Sequence, residues 1–346
     1  MDTKKQSNQK EIEAKPASEN KGPSRPRRRT RRRVLQITGG ILGAGVVAAG
    51  GYWAYGRYQR FGRDALYEIR DHRVEVPATS PKMVIARGED PARVARAVVE
   101  RMGGIERFVS PGDAVLIKPN IGWRRSPEQA ANTHPEVVAE LVRICKAARA
   151  GRVMVSDCPV QNSRAAFLTS GIYHAAGAAG AEVIVPEESR HVPVKISDRL
   201  GTWDVLEPFV QATKIINVPV AKHHAETWAT GGMKNWIGIT LKMRMMFHND
   251  INKSIAELAA LMRPTLTILD ASRVLMRHGP QGGSFADVKQ VNAVAASLDP
   301  VAVDAWGCSL LGSTRATLPP YLDIGQRMGL GTTDWKGLEP QEITTG

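Results

Sequence analysis

Cysteine is sparse in this chain of 346 residues, which carries only Cys145, Cys158 and Cys308. An odd count at long spacing builds no disulfide framework. With no Cys-x-x-Cys anywhere, the chain also lacks a self-contained 4Fe-4S motif. Aromatic side chains make up only 5% of residues. The one apolar stretch that approaches spanning length, "ITGGILGAGVVAAGGYWAY" at 37–55, is diluted by six glycines. Most of the chain also lacks a strong excess of either charge. The net charge is +13, but residues 1–36 alone hold 12 Lys/Arg against 4 Asp/Glu. A basic leader on a near-neutral body reads as targeting and argues against nucleic acid as a partner.

Residues 1–29 are polar and poor in large apolar side chains, so they are expected to be a disordered basic leader. The segment "TRRRVLQ" and the glycine-rich stretch after it resemble a twin-arginine export signal, with Arg31 and Arg32 as the pair. The resemblance implies the twin-arginine translocation machinery as a partner and a periplasmic or extracytoplasmic location. If uncleaved, residues 30–56 would stay as a membrane anchor, with Tyr52, Trp53 and Tyr55 at the interface. A linker is expected over 57–80, a single α/β domain over 81–335 and a C-terminal tail over 336–346.

Beyond residue 80, short β-branched runs predict strands at 82–86, 114–118, 152–157, 181–186, 214–219 and 266–271. Helical patterns lie between several of them, opening on Pro91 and Pro135. The alternation predicts an α/β fold, a mainly parallel or mixed sheet with helices on both faces. Cys145 and Cys308 fall in helical patterns and read as small buried hydrophobes, while Cys158 ends a strand and reads as structural rather than nucleophilic.

In open α/β sheets, ligands bind at the carboxyl ends of strands. Those ends here carry Lys118 and Asn120, Asp157, then Asn217 leading to Lys222 and His224, and finally Asp270. Parallel pairing would gather them in one cleft. Taken singly, each aspartate could as well cap a helix or turn.

The segments "VLIKPNIG", "THPEVVAELV", "INVPVAKHHAETWATGGMKNWIG", "LTILDA", "GPQGG" and "LDPVAVDAWG", in this order, resemble the domain-of-unknown-function 362 family over about residues 82 to 332. The resemblance picks out Lys118, Asn120, Thr133, His134, Asp157, Lys222, His224, Lys234, Asn235, Asp270 and Asp299. His223 departs from it, since a smaller residue is more usual there. Relatives are sometimes joined to iron–sulfur modules, which implies an iron–sulfur partner for a chain without the cysteines.

Physical chemistry adds roles to the stretch "AKHHAETWATGGMKNWIGI" at 221–239. Lys118, Lys222 and Lys234 offer positive charge to a small phosphate- or carboxylate-bearing ligand. Thr230, Gly231 and Gly232 would let backbone N–H groups approach that anion at a helix N-terminus. His224, with Asp157 or Asp270 orienting its ring, is a candidate proton carrier. A lysine among other cations can serve as base or imine-forming nucleophile. His224, Asp157 and Asp270 are also the candidates for a divalent metal, with His248 as a further donor. The adjacent His223 and His224 point in different directions on regular backbone and do not share one ion. His134 sits where helix capping competes with site chemistry, and His248 reads as lying near an N-cap. Three classes stay open: an extracytoplasmic enzyme acting on a small anionic substrate, a metallocofactor or redox-associated protein, and a non-catalytic anion-binding or assembly protein.

Overall fold

A computed structural model describes residues 66–346 apart from 242 and 243. The basic leader at 1–29, the Arg31–Arg32 pair and the signal or anchor at 30–56 lie outside the described residues. Among the described residues, no helix is long and apolar enough to cross a membrane.

The strands are β1 (Met83–Arg87), β2 (Ala114–Pro119), β3 (Arg152–Ser156), β4 (Glu182–Ile184), β5 (His191–Ser197), β6 (Gly201–Leu206), β7 (Lys214–Val218), β8 (Val220–His224), β9 (Trp228–Thr230), β10 (Leu266–Leu275), β11 (Val288–Ser297) and β12 (Gln341–Thr344). The helices are α1 (Pro91–Arg101), α2 (Pro135–Ala147), α3 (Ser163–Thr169), α4 (Ile172–Ala178), α5 (Glu207–Gln211), α6 (Gly232–Asn235), α7 (Ile251–Met262), α8 (Pro300–Leu310) and α9 (Pro320–Arg327). The main sheet runs β12-β1-β11-β10-β7-β2-β3-β4, with β8 beside β10 and β9 beside β8; β5 and β6 form a separate pair. Pairing is parallel from β10 through β7, β2 and β3 to β4, and antiparallel at β10–β11 and β11–β1. The result is a mixed, mostly parallel α/β sheet.

The period-two alternation of strand side chains divides the core between the two faces. Val115 and Ile117 of β2 pack with Val153, Val155, Ile216 and Val218 against Val94 and Val98 of α1 and Val138 and Leu141 of α2. Leu116, Met154 and Ile215 join the other cluster, with the β5–β6 hairpin, α7 and α9. Helices therefore cover both faces. Lys118 follows Leu116 by two and stands opposite Asn217 in the β2–β7 register, so both polar side chains belong to the second face.

The helix starts follow local chemistry. Asp90 accepts from the Ala92 and Arg93 N–H groups at the head of α1, where Pro91 fills a position that needs no donor. His134 Nδ1 accepts from the Glu136 N–H at 3.2 Å to cap α2. Pro219 separates β7 from β8 because it has no N–H for the ladder, while its carbonyl still accepts from the Asp270 N–H at 2.9 Å.

Two segments expected to lie outside the sheet domain pack on it. Within 57–80, His72 is buried and its Nδ1 lies 3.1 Å from the Thr213 carbonyl oxygen. Within 336–346, β12 pairs in parallel with β1. β10 also continues to Leu275, past the expected end at 271, so Asp270 lies inside the strand rather than at its tip.

Candidate functional site

β2 ends in a buried ion pair. Lys118 Nζ donates to Asp157 Oδ1 at 2.5 Å, to the Pro119 carbonyl at 3.0 Å and to Asn235 Oδ1 at 3.1 Å. The Ile121 N–H donates to the second Asp157 oxygen at 2.6 Å. Burial pulls the Lys118 amine below the usual lysine range, and the Asp157 charge opposes that. Gly238 is required beside this pair, since a Cβ there would overlap Asp157 Oδ1 and press on Lys118 Nζ.

A polar network spreads outward from the pair. Asn235 Oδ1 also accepts from Asn120 Nδ2 at 3.0 Å, so the Asn120 Oδ1 faces away as an acceptor. That oxygen takes a hydrogen bond from Lys222 Nζ at 2.9 Å, and Lys222 donates again to the Ala131 carbonyl at 2.5 Å. Thr133 Oγ1 accepts from the Asn120 N–H at 2.8 Å and donates to the Val218 carbonyl at 2.7 Å, which fixes the Asn120 backbone. Lys234 Nζ donates to Thr227 Oγ1 at 2.8 Å.

Above the network is a cavity of about 310 Å3, lined by Asn120, Asp157, Lys222, His224, Thr230, Lys234 and Asn235 among others. This is within the range of small-molecule sites. Among the described residues, neither Lys222 nor Lys234 has an ion-pair partner. Burial brings the Lys222 amine down to about 7, with Asp157 opposing the shift and Lys234 and Lys118 adding to it. Burial likewise brings Lys234 to about 7, against the pull of Glu226. His224 Nδ1 accepts from the Glu226 N–H at 3.1 Å and the Thr227 N–H at 3.4 Å. Its single ring proton is therefore on Nε2. Burial, with the charges of Lys234 and Lys222, lowers its pKa to about 3, so at neutral pH the ring is an uncharged donor.

Residues 115–309 match the family described as Domain of unknown function (DUF362). The chain belongs to this family. Thylakoid-associated protein sll1697 of Synechocystis sp. (strain ATCC 27184 / PCC 6803 / Kazusa) is 30% identical over 247 residues, covering 69% of this chain and 75% of that protein. Among solved structures, the lactate racemase apoprotein from Thermoanaerobacterium thermosaccharolyticum aligns with a TM-score of 0.41 and 14% identity, over 72% of this chain and 60% of that chain. This chain thus spans less than two thirds of the racemase. The span matched to the DUF362 family contains every polar cavity residue named above.

Several residues expected at the site stand elsewhere or act differently. Asp270 is committed to structure: Oδ2 accepts from the His134 N–H at 2.7 Å, and Oδ1 accepts from the Ser272 N–H and hydroxyl at 2.9 and 2.7 Å. His134 caps α2, and burial lowers its pKa against the opposing Asp270 charge. Asp270, His134 and Thr133 do not line the cavity. The His224 ring is oriented by backbone N–H groups and by neither aspartate. His223 turns away to accept from the Gly279 N–H at 3.2 Å and meets the Trp228 ring edge-on.

The glycine-rich helix start differs most from expectation. α6 has only four residues, and its Gly232 and Met233 N–H groups donate to the two oxygens of Asp304 at 2.5 and 3.0 Å. A carboxyl group does sit at this terminus, but the chain supplies it. Burial raises the Asp304 carboxyl to about 7 despite those two donors. A Cβ at Gly231 would collide with the Asp304 carboxylate, which accounts for that glycine.

Two of the three candidate metal ligands, His224 and Asp157, line the same cavity. Both Asp157 oxygens are already engaged, Asp270 is outside the cavity, and among the described residues no group of three His, Cys, Asp or Glu side chains is placed to hold an ion. The cavity also contains residues that the strand-end rule did not single out. Arg244 donates to the Cys158 carbonyl at 2.6 Å and to the Pro159 carbonyl, and His248 Nδ1 lies 2.7 Å from Glu226 Oε2. Val160 and Met245 at the cavity are exposed apolar side chains. Cys158 is buried, and its thiol is pushed well up by burial, in keeping with a structural role.

Proposed function

We propose that this protein is an enzyme that takes a small phosphate- or carboxylate-bearing substrate into the cavity and transfers protons with Lys222 and Lys234. One observation carries the reading: two buried lysines, neither with an ion-pair partner among the described residues, face the same cavity. Below pH 7 each is an ammonium that attracts an anion, and above it each is an amine able to accept a proton. Arg244 adds a permanent positive charge at the same wall. His224 presents a neutral Nε2–H to a substrate oxygen. Thr230 Oγ1, buried with no hydrogen-bond partner among the described residues, is a further group for the substrate to satisfy. Lys118 and Asp157 neutralise each other and act as a scaffold.

The location follows from two supports. The sequence around Arg31 and Arg32 resembles an export signal, and the similar protein of Synechocystis is named as thylakoid-associated. We place the folded body outside the cytoplasm and at or near a membrane, handed across by the twin-arginine machinery.

Titration calorimetry with inorganic phosphate and a panel of short carboxylates tests the site. Binding at pH 6 is expected to weaken at least about tenfold in Lys222→Met or Lys234→Met and to fade as pH rises through about 7. Anions that bind both variants as tightly as the parent would refute the assignment. Solvent deuterium entering a bound ligand separates catalysis from simple capture.

A further inference from the structure

Three buried lysines meet at this site, and the number of acceptors around each ammonium among the described residues differs. Lys118 has three, one of them a carboxylate, which accounts for all three protons of a charged amine. Lys222 has two, the Asn120 side-chain oxygen and the Ala131 carbonyl, and both are neutral. Lys234 has one, the Thr227 hydroxyl. A neutral primary amine carries two N–H bonds and one lone pair. Around Lys222 the two N–H bonds are directed into the protein, so the remaining tetrahedral position faces the cavity that the side chain lines.

The Asn120 amide is held so that it cannot reverse this arrangement. Its Nδ2 is spent on Asn235 Oδ1, which leaves only its oxygen for Lys222. Among the described residues, no carboxylate stands within ion-pair distance of Lys222, and Asp157 favours its charged form only from farther off. Resting on the anion-binding reading of the same cavity, we propose that Lys222 is a nucleophile that forms an imine with an anionic carbonyl compound of the small 2-oxo acid class.

The step balances without an oxidant or reductant. The Lys222 lone pair attacks the carbonyl carbon, a C–N bond forms, and the C=O π pair moves to oxygen. That oxygen takes a proton from the Lys234 ammonium, and the new N–H2 group returns one proton to Lys234, giving a carbinolamine. Lys234 then protonates the hydroxyl, the C–O bond breaks, water leaves, and the nitrogen pair closes the C=N bond of a protonated imine. Arg244 is available to the carboxylate of the substrate, and the His224 Nε2–H to the carbonyl oxygen.

Glyoxylate, the smallest anionic aldehyde, is the probe, with sodium cyanoborohydride supplying hydride to trap the C=N bond as a stable secondary amine. The full chain is treated at pH 7, and modified lysines are located by peptide mass spectrometry, with exposed Lys289 as the internal reference. Lys222 is expected to be labelled at least about tenfold faster than Lys289, because about half of its amine is unprotonated at pH 7 where an ordinary lysine is almost wholly charged. Asn120→Asp places a carboxylate against Lys222 and is expected to slow that labelling at pH 7, with recovery at pH 10. Calorimetric binding of glyoxylate with Lys222 labelled no faster than Lys289, or with Lys234 labelled in its place, would overturn the nucleophile while leaving the anion site intact. No binding and no selective labelling would remove both.

Discussion

Lys118 Nζ lies 2.5 Å from Asp157 Oδ1, with both side chains closed off from water. Their attraction offsets a large desolvation cost, so removing one partner leaves an uncompensated buried charge. Lys118→Met is expected to lower the unfolding free energy by about 3–5 kcal/mol. The double variant Lys118→Met with Asp157→Leu should recover much of that loss. Urea unfolding of the three proteins measures both, and a double variant no more stable than the single one would argue against a paired-charge origin.

Lys222 and Lys234 make stability depend on pH in a definite direction. Each folded-state pKa is about 7, below the ordinary lysine value, so between pH 7 and the unfolded value of about 10.4 the unfolded chain binds more protons. Stability from these groups therefore rises with pH across that window, and their full desolvation penalty is present below it. Lys222→Met should reduce the slope near the middle of the window by about 1.4 kcal/mol per pH unit. Equal slopes in denaturation series run from pH 7 to 10 would show that Lys222 is charged in the folded protein.

Gly238→Ala tests the crowding beside the buried pair. The added methyl would overlap the Asp157 carboxylate, and overpacking of this kind costs about 1–3 kcal/mol. A thermal melt close to that of the parent would mean that Asp157 yields easily and is less firmly held than its bonds suggest.

Asp304→Ala leaves the Gly232 and Met233 N–H groups without their acceptor. Leaving buried donors unpaired costs about 1–3 kcal/mol. Amide exchange should quicken at these two residues before it changes in β2 or β3. A uniform change across the sheet would instead indicate that Asp304 supports the whole fold.

The parallel centre of the sheet was legible in its β-branched runs; strand ends pointed to Lys118, Asn120, Asp157, Lys222 and His224, whereas Lys234 and Asn235 were first marked by the family resemblance. β11 was not legible. Its "VKQVNAVAAS" opens polar and continues in alanine, a poor strand former that burial between β1 and β10 overrides. Asp270 looked like a strand-end residue because the apolar run breaks there, yet β10 continues and the carboxylate holds the start of α2. Arg244 and His248 lie in a 3-10 segment, Arg244–Asp250, whose position beside Cys158 and Glu226 depends on tertiary contacts alone. Asp304 lies in an apolar helix pattern about 70 residues beyond the glycines it serves, and no local signal links the two.

The cavity draws its wall from six stretches of chain, around Asn120, Asp157, Lys222, Lys234, Arg244 and Pro280, that come together only in the finished fold. An unfolded chain offers a ligand no fragment of this enclosure. Occupancy is therefore linked to foldedness, and a compound present at 100 times its Kd would add about 2.7 kcal/mol to the unfolding free energy of the protein. The melting temperature thus becomes a search instrument: a library of metabolites can be ranked by the delay each imposes on unfolding before any reaction has been observed.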